Sequence, residues 1–122
     1  MTEPKRPTNS HKAYHAHVYF DEDTKDLAKK LCDASTQEFG LRVGRFHEKL
    51  VGPHPCWSCQ VTFGSKDFDK YIAWLDANRE DLTVFVHALT GDHLKDHTEF
   101  AYWLGREVEL NLGFFHTGQQ TD

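Results

Sequence analysis

The chain has 122 residues, 39% of them hydrophobic, with 9 Phe, 4 Tyr and 3 Trp, which suits one domain with a genuine core and rules out global disorder. A net charge of −5 with no basic run argues against nucleic-acid binding, which needs a cationic face, and no apolar stretch approaches the ~20 residues of a membrane span. Three cysteines are too few, and odd in number, for a disulfide framework; the expectation is a soluble, cytoplasmic protein. The surplus is in histidine, with nine residues at positions 11, 15, 17, 47, 54, 87, 93, 97 and 116.

Residues 1–13 are polar and Pro-containing and read as a flexible arm. Tyr14 to Phe20 alternates and is rich in β-formers, so it predicts a strand. Ala16, Val18 and Phe20 leave one face; His15, His17 and Tyr19 leave the other. Asp21 to Asp23 supply turn and cap chemistry for a helix from Thr24 to Phe39, which Gly40 closes. Leu41 to Phe46 predicts a short second strand, followed by a loop from His47 to Pro55. Trp57 to Phe63 predicts a third strand, and Ser65 is placed as the cap of a helix over Lys66–Asn78, whose stripe is Phe68, Tyr71, Ile72 and Leu75. Thr83 to Leu89 predicts a fourth strand. A last helix is expected from His93 to Leu104, then an edge strand from Val108 to Phe115 and a flexible tail over 116–122.

The order β-α-β-β-α-β over a single domain, 14–115, predicts an α+β, ferredoxin-like split βαβ fold with an antiparallel sheet in the order 4-1-3-2. Both helices would cover the face of Ala16, Val18, Phe20, Val61 and Phe63. The opposite face then carries His15, His17, Ser58, Gln60, Thr62 and, by alternation with Val84, Val86 and Ala88, His87.

His15 and His17 stand two apart on a strand and leave the same face ~7 Å apart at Cα. Antiparallel pairing of the first and fourth strands brings His87 to them. Three imidazoles so placed can converge on one metal ion, or can serve as hydrogen bonders in a dimer interface; imidazole suits Fe, Zn, Cu or Ni alike. His93 and His97 form an i, i+4 pair, but Leu94 stands where a zincin motif needs glutamate, so a solvated helix face is the expectation, with Asp96-His97 able to border a pocket. His54 is framed by Pro53 and Pro55, which suits an acid/base group, a fourth ligand or a plain surface turn. His47 flanks the same loop. His11 and His116 fall in the presumed ends and are expected to be inert. Cys56-Trp-Ser-Cys59 opens a strand rather than a helix, so Cys59 and Cys32 are expected in the core rather than in redox chemistry.

Tyr14-His-Ala-His-Val-Tyr-Phe20, Val43-Gly-Arg-Phe-His47, Gly52-Pro-His-Pro55, Trp57 with Gln60, His87-x-Leu-Thr-Gly-Asp92, Asp96-His-Thr98 and Trp103-Leu-Gly105 together resemble the DOPA 4,5-dioxygenase family in its small fungal and bacterial form, over roughly residues 14–113. The resemblance implies a ferredoxin-like, homodimeric enzyme that uses non-haem Fe(II), replaceable by Zn or Ni in a crystal, and O₂ for extradiol cleavage of a catechol such as L-DOPA. It implies His15, His17 and His87 as metal ligands and His54 as the acid/base group. Gln60, Tyr19, His47 and His97 become candidate substrate contacts, and Glu99 and Glu109 secondary candidates for a carboxylate ligand. Cys56 stands where several members of the family have a basic residue and Phe100 where they often have a polar one, and a lost cation bears on how a substrate carboxylate is held. The alternative is a non-catalytic, dimeric small-molecule or metal-binding protein using the same face.

Overall fold

A computed structural model describes residues 7–113. Its elements run β1 (Ala13–Phe20), α1 (Lys25–Phe39), β2 (Arg42–His47), β3 (Trp57–Gly64), α2 (Ser65–Asn78), β4 (Thr83–Ala88), α3 (His93–Asp96) and β5 (Ala101–Leu104). The strands form one antiparallel sheet in the order β2-β3-β1-β4-β5, which is the expected 4-1-3-2 order with a fifth strand added beside β4.

Alternation decides what each face does. Tyr14, Ala16, Val18 and Phe20 of β1 join Cys59, Val61 and Phe63 of β3 and Val84, Val86 and Ala88 of β4 in the core beneath the helices. Ala28, Leu31 and Cys32 of α1 and Phe68, Tyr71, Ile72 and Leu75 of α2 close that core from above. The Ser35 and Tyr71 hydroxyls, 2.8 Å apart, tie the two helices together where both are buried. Cys32 and Cys59 are buried free thiols of this core.

Two local signals behave as their chemistry dictates. The Asp21 carboxylate accepts from the Thr24 backbone N–H and hydroxyl at 3.0 Å each, turning the chain into α1. Gly40, at φ 68°, ends α1 in the left-handed region, with its N–H donated to the Thr36 carbonyl. Ser65, by contrast, is the first residue of α2 and makes no side-chain cap; Gly64 occupies the cap position.

The expected helix from His93 to Leu104 is corrected by the structure. The helix stops at Asp96, and the Phe100 N–H turns back to the Lys95 carbonyl at 2.9 Å. Ala101–Leu104 then pairs with β4, because alternation suits both faces: Tyr102 and Leu104 enter the main core, while Ala101 and Trp103 join Tyr19 and Phe85 opposite. The edge strand expected at Val108–Phe115 is also absent over its described part. Val108 and Leu110 instead pack on the Tyr19–Phe85–Trp103 cluster, and the Asn111 N–H bonds the Pro53 carbonyl at 2.8 Å. Phe114, Phe115, His116 and the expected tail lie outside the described residues. The face opposite the helices is therefore partly covered, by residues 107–112 and by the loop before β3.

At the other end, the backbone N–H groups of Ser10 and His11 donate to the Tyr14 hydroxyl at 2.8 and 2.7 Å. The His11 ring lies 4.6 Å from that of Phe100. No helix among the described residues is long and apolar enough to cross a membrane.

Candidate metal centre

Register places the histidines. His15 stands directly opposite His87 across β1 and β4, and His17 opposite Phe85. On the other flank His15 faces Thr62 and His17 faces Gln60 of β3. Each of His15, His17 and His87 offers a nitrogen, and the three lie within 4.8 Å of one another.

The donor chemistry fits a metal ion. The Nδ1–H of His87 donates to the Ala88 carbonyl at 2.9 Å, which leaves Nε2 as a bare lone pair. That Nε2 lies 2.9 Å from Nε2 of His17. Two nitrogens bound to one ion at ~2.1 Å and set at a right angle lie about 3 Å apart, so this pair already has the spacing of adjacent ligands. Burial keeps these imidazoles neutral: His17 and His87 are 5% and 2% exposed. Desolvation holds both well below the ordinary histidine range; His54 and His97, respectively, are the next largest influences. Neutral imidazole is the form a metal takes. His15, His17 and His87 can thus hold a metal ion.

Two further histidines close on this trio. In Val51-Gly52-Pro53-His54 the chain turns through Gly52 at φ 57°, and the His54 N–H reaches the Val51 carbonyl at 3.2 Å. The turn lays the His54 ring 4.0 Å from that of His17, centroid to centroid. Nδ1 of His54 lies 2.8 Å from the Tyr19 hydroxyl, and burial lowers the His54 pKa to about 3, with His97 adding the next contribution. Tyr19 is pushed above the ordinary phenol range by its own burial. It stays a phenol, and its hydroxyl can accept from Nδ1–H of His54, which leaves Nε2 of His54 bare. His97 arrives from the other side. Its ring stands 4.1 Å from that of His87, and its Nδ1–H donates to the His93 carbonyl at 2.7 Å. The His93/His97 pair therefore does not converge as a ligand pair; His97 turns inward with its neighbour Asp96, and both are buried.

A cavity of about 200 Å³ opens over the cluster, lined by the five histidines 15, 17, 54, 87 and 97 together with His47, Gly44, Arg45, Ser58, Gln60 and the Val51–Pro53 turn. Of the candidate substrate contacts, Gln60, His47 and His97 line it; Tyr19 does not, and bears on the site through His54. Glu99 and Glu109 are exposed, and no Asp or Glu lines the cavity. Cys56 is half-buried against the Tyr19–Phe85–Trp103 cluster and does not line it either.

Sequence reasoning missed Arg45. Val43 pairs with Val61 and Phe46 with Cys59, so Gly44 and Arg45 both stand against Gln60 in a β-bulge. Strict alternation would send Arg45 to the helix side. A glycine inside a short strand was the only available signal.

A split βαβ sheet with a histidine cluster on its helix-free face defines an α+β protein with a candidate metal site. The profile of the Dopa 4,5-dioxygenase family matches residues 14–114, and the chain belongs to that family. It is 35% identical over 112 residues to an uncharacterized 21.2 kDa protein of Botryotinia fuckeliana, covering 82% of this chain and 61% of that protein. It is 32% identical over 110 residues to the DOPA 4,5-dioxygenase of Amanita muscaria, covering 83% of this chain and 48% of that one. The chain thus spans about half to three-fifths of these relatives. A Nostoc punctiforme protein of known crystal structure, described as a dioxygenase candidate, superposes with a TM-score of 0.86 at 38% identity, over 94% of this chain and all of that one.

Proposed function

We propose that the protein is a metal-dependent extradiol dioxygenase that opens the ring of a catechol such as L-DOPA, with Fe(II) as its metal. Family membership and the name of the Amanita relative support a dioxygenase. The observation that carries the reading is the convergence of three imidazoles on the floor of a cavity. At about 200 Å³ that cavity falls below the roughly 300–1,000 Å³ of drug-sized sites, which suits a small substituted ring.

In this reading His15, His17 and His87 hold the iron. Bound there, it supplies the redox centre at which catechol and O₂ react, and both oxygen atoms enter the ring-opened product. The chain's own residues orient the substrate and move its protons. His54 lies beside His17, fixed by the Tyr19 hydroxyl, where it can take a proton from a catechol hydroxyl and return it later. Gln60, His47 and His97 contact the substrate from the walls, and the Val51–Pro53 turn limits water on one side. The same reading takes the protein as a homodimer, which its mass in solution tests.

The experiment is anaerobic purification, reconstitution with Fe(II), and addition of L-DOPA and simple catechols under air. The expected result is O₂ uptake with a yellow ring-cleavage product, absent from His15→Ala. Stoichiometric metal without turnover of any catechol overturns the substrate assignment. Retention of metal by both His15→Ala and His17→Ala overturns the ligand set, whereas His93→Ala is expected to keep it.

A further inference from the structure

We infer that the site selects a catechol bearing a carboxylate and no neighbouring ammonium group, with Arg45 as the residue that holds the carboxylate. This rests on the catechol reading above. The charge inventory of the cavity carries it. Among its lining residues Arg45 is the one Lys or Arg, and Asp and Glu are missing altogether. Three neutral imidazoles leave a divalent ion with its full double charge, which a catechol losing both protons can balance. Arg45 then remains as an uncompensated positive charge at the mouth.

The acids that could meet a substrate ammonium near Arg45 are committed or distant. Glu48 is engaged with Lys25 of α1 at 3.2 Å. Asp96 is buried, with its oxygens on the Thr90 N–H at 3.0 Å and the Thr90 hydroxyl at 2.7 Å. Glu107 and Glu109 line a second depression that meets the cavity at His97, beside Trp103 of β5 and at the opposite end of the sheet from β2, where Arg45 stands. The bulge is the second, independent observation. By setting both Gly44 and Arg45 against Gln60, it sends to the cavity a side chain that regular pairing would turn away. The Arg45 side chain, exposed at the rim, makes no hydrogen bond or ion pair with another described residue. Its planar fork suits a carboxylate in two-point contact. An α-amino acid would bring its ammonium to the same place as its carboxylate, against the guanidinium and with no acid to receive it.

The test is calorimetric binding to the Zn(II)-loaded protein, which separates recognition from turnover, using 3,4-dihydroxyphenylpropanoate, 4-ethylcatechol, L-DOPA and dopamine. The expected order is the amine-free acid first, then the neutral catechol and L-DOPA, with dopamine weakest. Arg45→Ala is expected to weaken the acid about tenfold or more, as for loss of a charge-assisted contact, while leaving 4-ethylcatechol within about twofold; Arg45→Lys restores part of the difference. L-DOPA binding as tightly as the amine-free acid, or an unchanged acid-to-neutral ratio in Arg45→Ala, overturns the inference. Failure of 4-ethylcatechol and the acid alike to bind overturns the catechol reading itself.

Discussion

A proton taken up by an imidazole in this cluster loses hydration and meets other imidazoles instead of a carboxylate. Burial therefore lowers the pKa of His17, His54 and His87, that of His54 to about 3. The folded-state values lie below the unfolded value of ~6.5, so the unfolded chain binds more protons in acid. The stability these groups permit is complete above pH 6.5 and is lost as pH falls below it. Each such group adds to that dependence, with a limiting slope of about 1.4 kcal/mol per pH unit. Urea titrations of metal-free protein between pH 7.5 and 5 are expected to show a steep fall in midpoint below pH 6.5, and His54→Gln to flatten it. Tyr19 makes a separate prediction. Tyr19→Phe strands the buried Nδ1 of His54, at a cost of about 1–3 kcal/mol. It should lower kcat while leaving the metal content of the purified protein unchanged, which metal analysis beside steady-state kinetics checks.

Elements end where backbone geometry requires it, and two glycines show how differently that requirement bears. Gly40, at φ 68°, has nothing within 4 Å of where a Cβ would stand, so Gly40→Ala costs only the left-handed backbone, about 1 kcal/mol. Gly105, at φ 90°, ends β5, and a Cβ there would lie 2.9 Å from Nη1 of Arg79 and 3.3 Å from the Leu82 carbonyl. Gly105→Ala should therefore be the costlier change, about 1–3 kcal/mol, with denaturant midpoints as the measure. The same end of the chain marks how far the sequence could be read. The four strands of the split βαβ unit and the shared face of His15, His17 and His87 follow from alternation, which local residues encode. β5 does not, because Ala101–Leu104 is only four residues long, too short for a period to declare itself, and its strand character comes from the unpaired edge of β4. Likewise His97 looked solvated because its helix was expected to continue; the turn after Asp96 brings it inward. Arg45 was hidden by a register shift, which depends on two strands rather than one.

At the scale of the molecule, the metal trio joins the two strands at the middle of the sheet, β1 and β4, so an ion bound there stabilises the whole fold. Ligand at a hundredfold its Kd adds about 2.7 kcal/mol, and for a domain of this size that is on the order of 10 °C in Tm. Scanning calorimetry with and without metal is expected to show such a rise, and His17→Ala to abolish it. The family assignment and the geometry meet here: the match over residues 14–114 spans both strands and the segment that roofs them.

His17 and His87 are 70 residues apart in sequence, with α1, β2, β3 and α2 all between them. An ion shared by the two would fasten a long chain loop. Unlike a disulfide, the link lasts only while β1 and β4 stay paired, so it must break before β1 can leave β4 and it stabilises the folded state by binding alone. Chelation of metal-loaded protein is then expected to hasten its unfolding, and a cell short of metal would clear a chain so fastened faster than one with metal to spare.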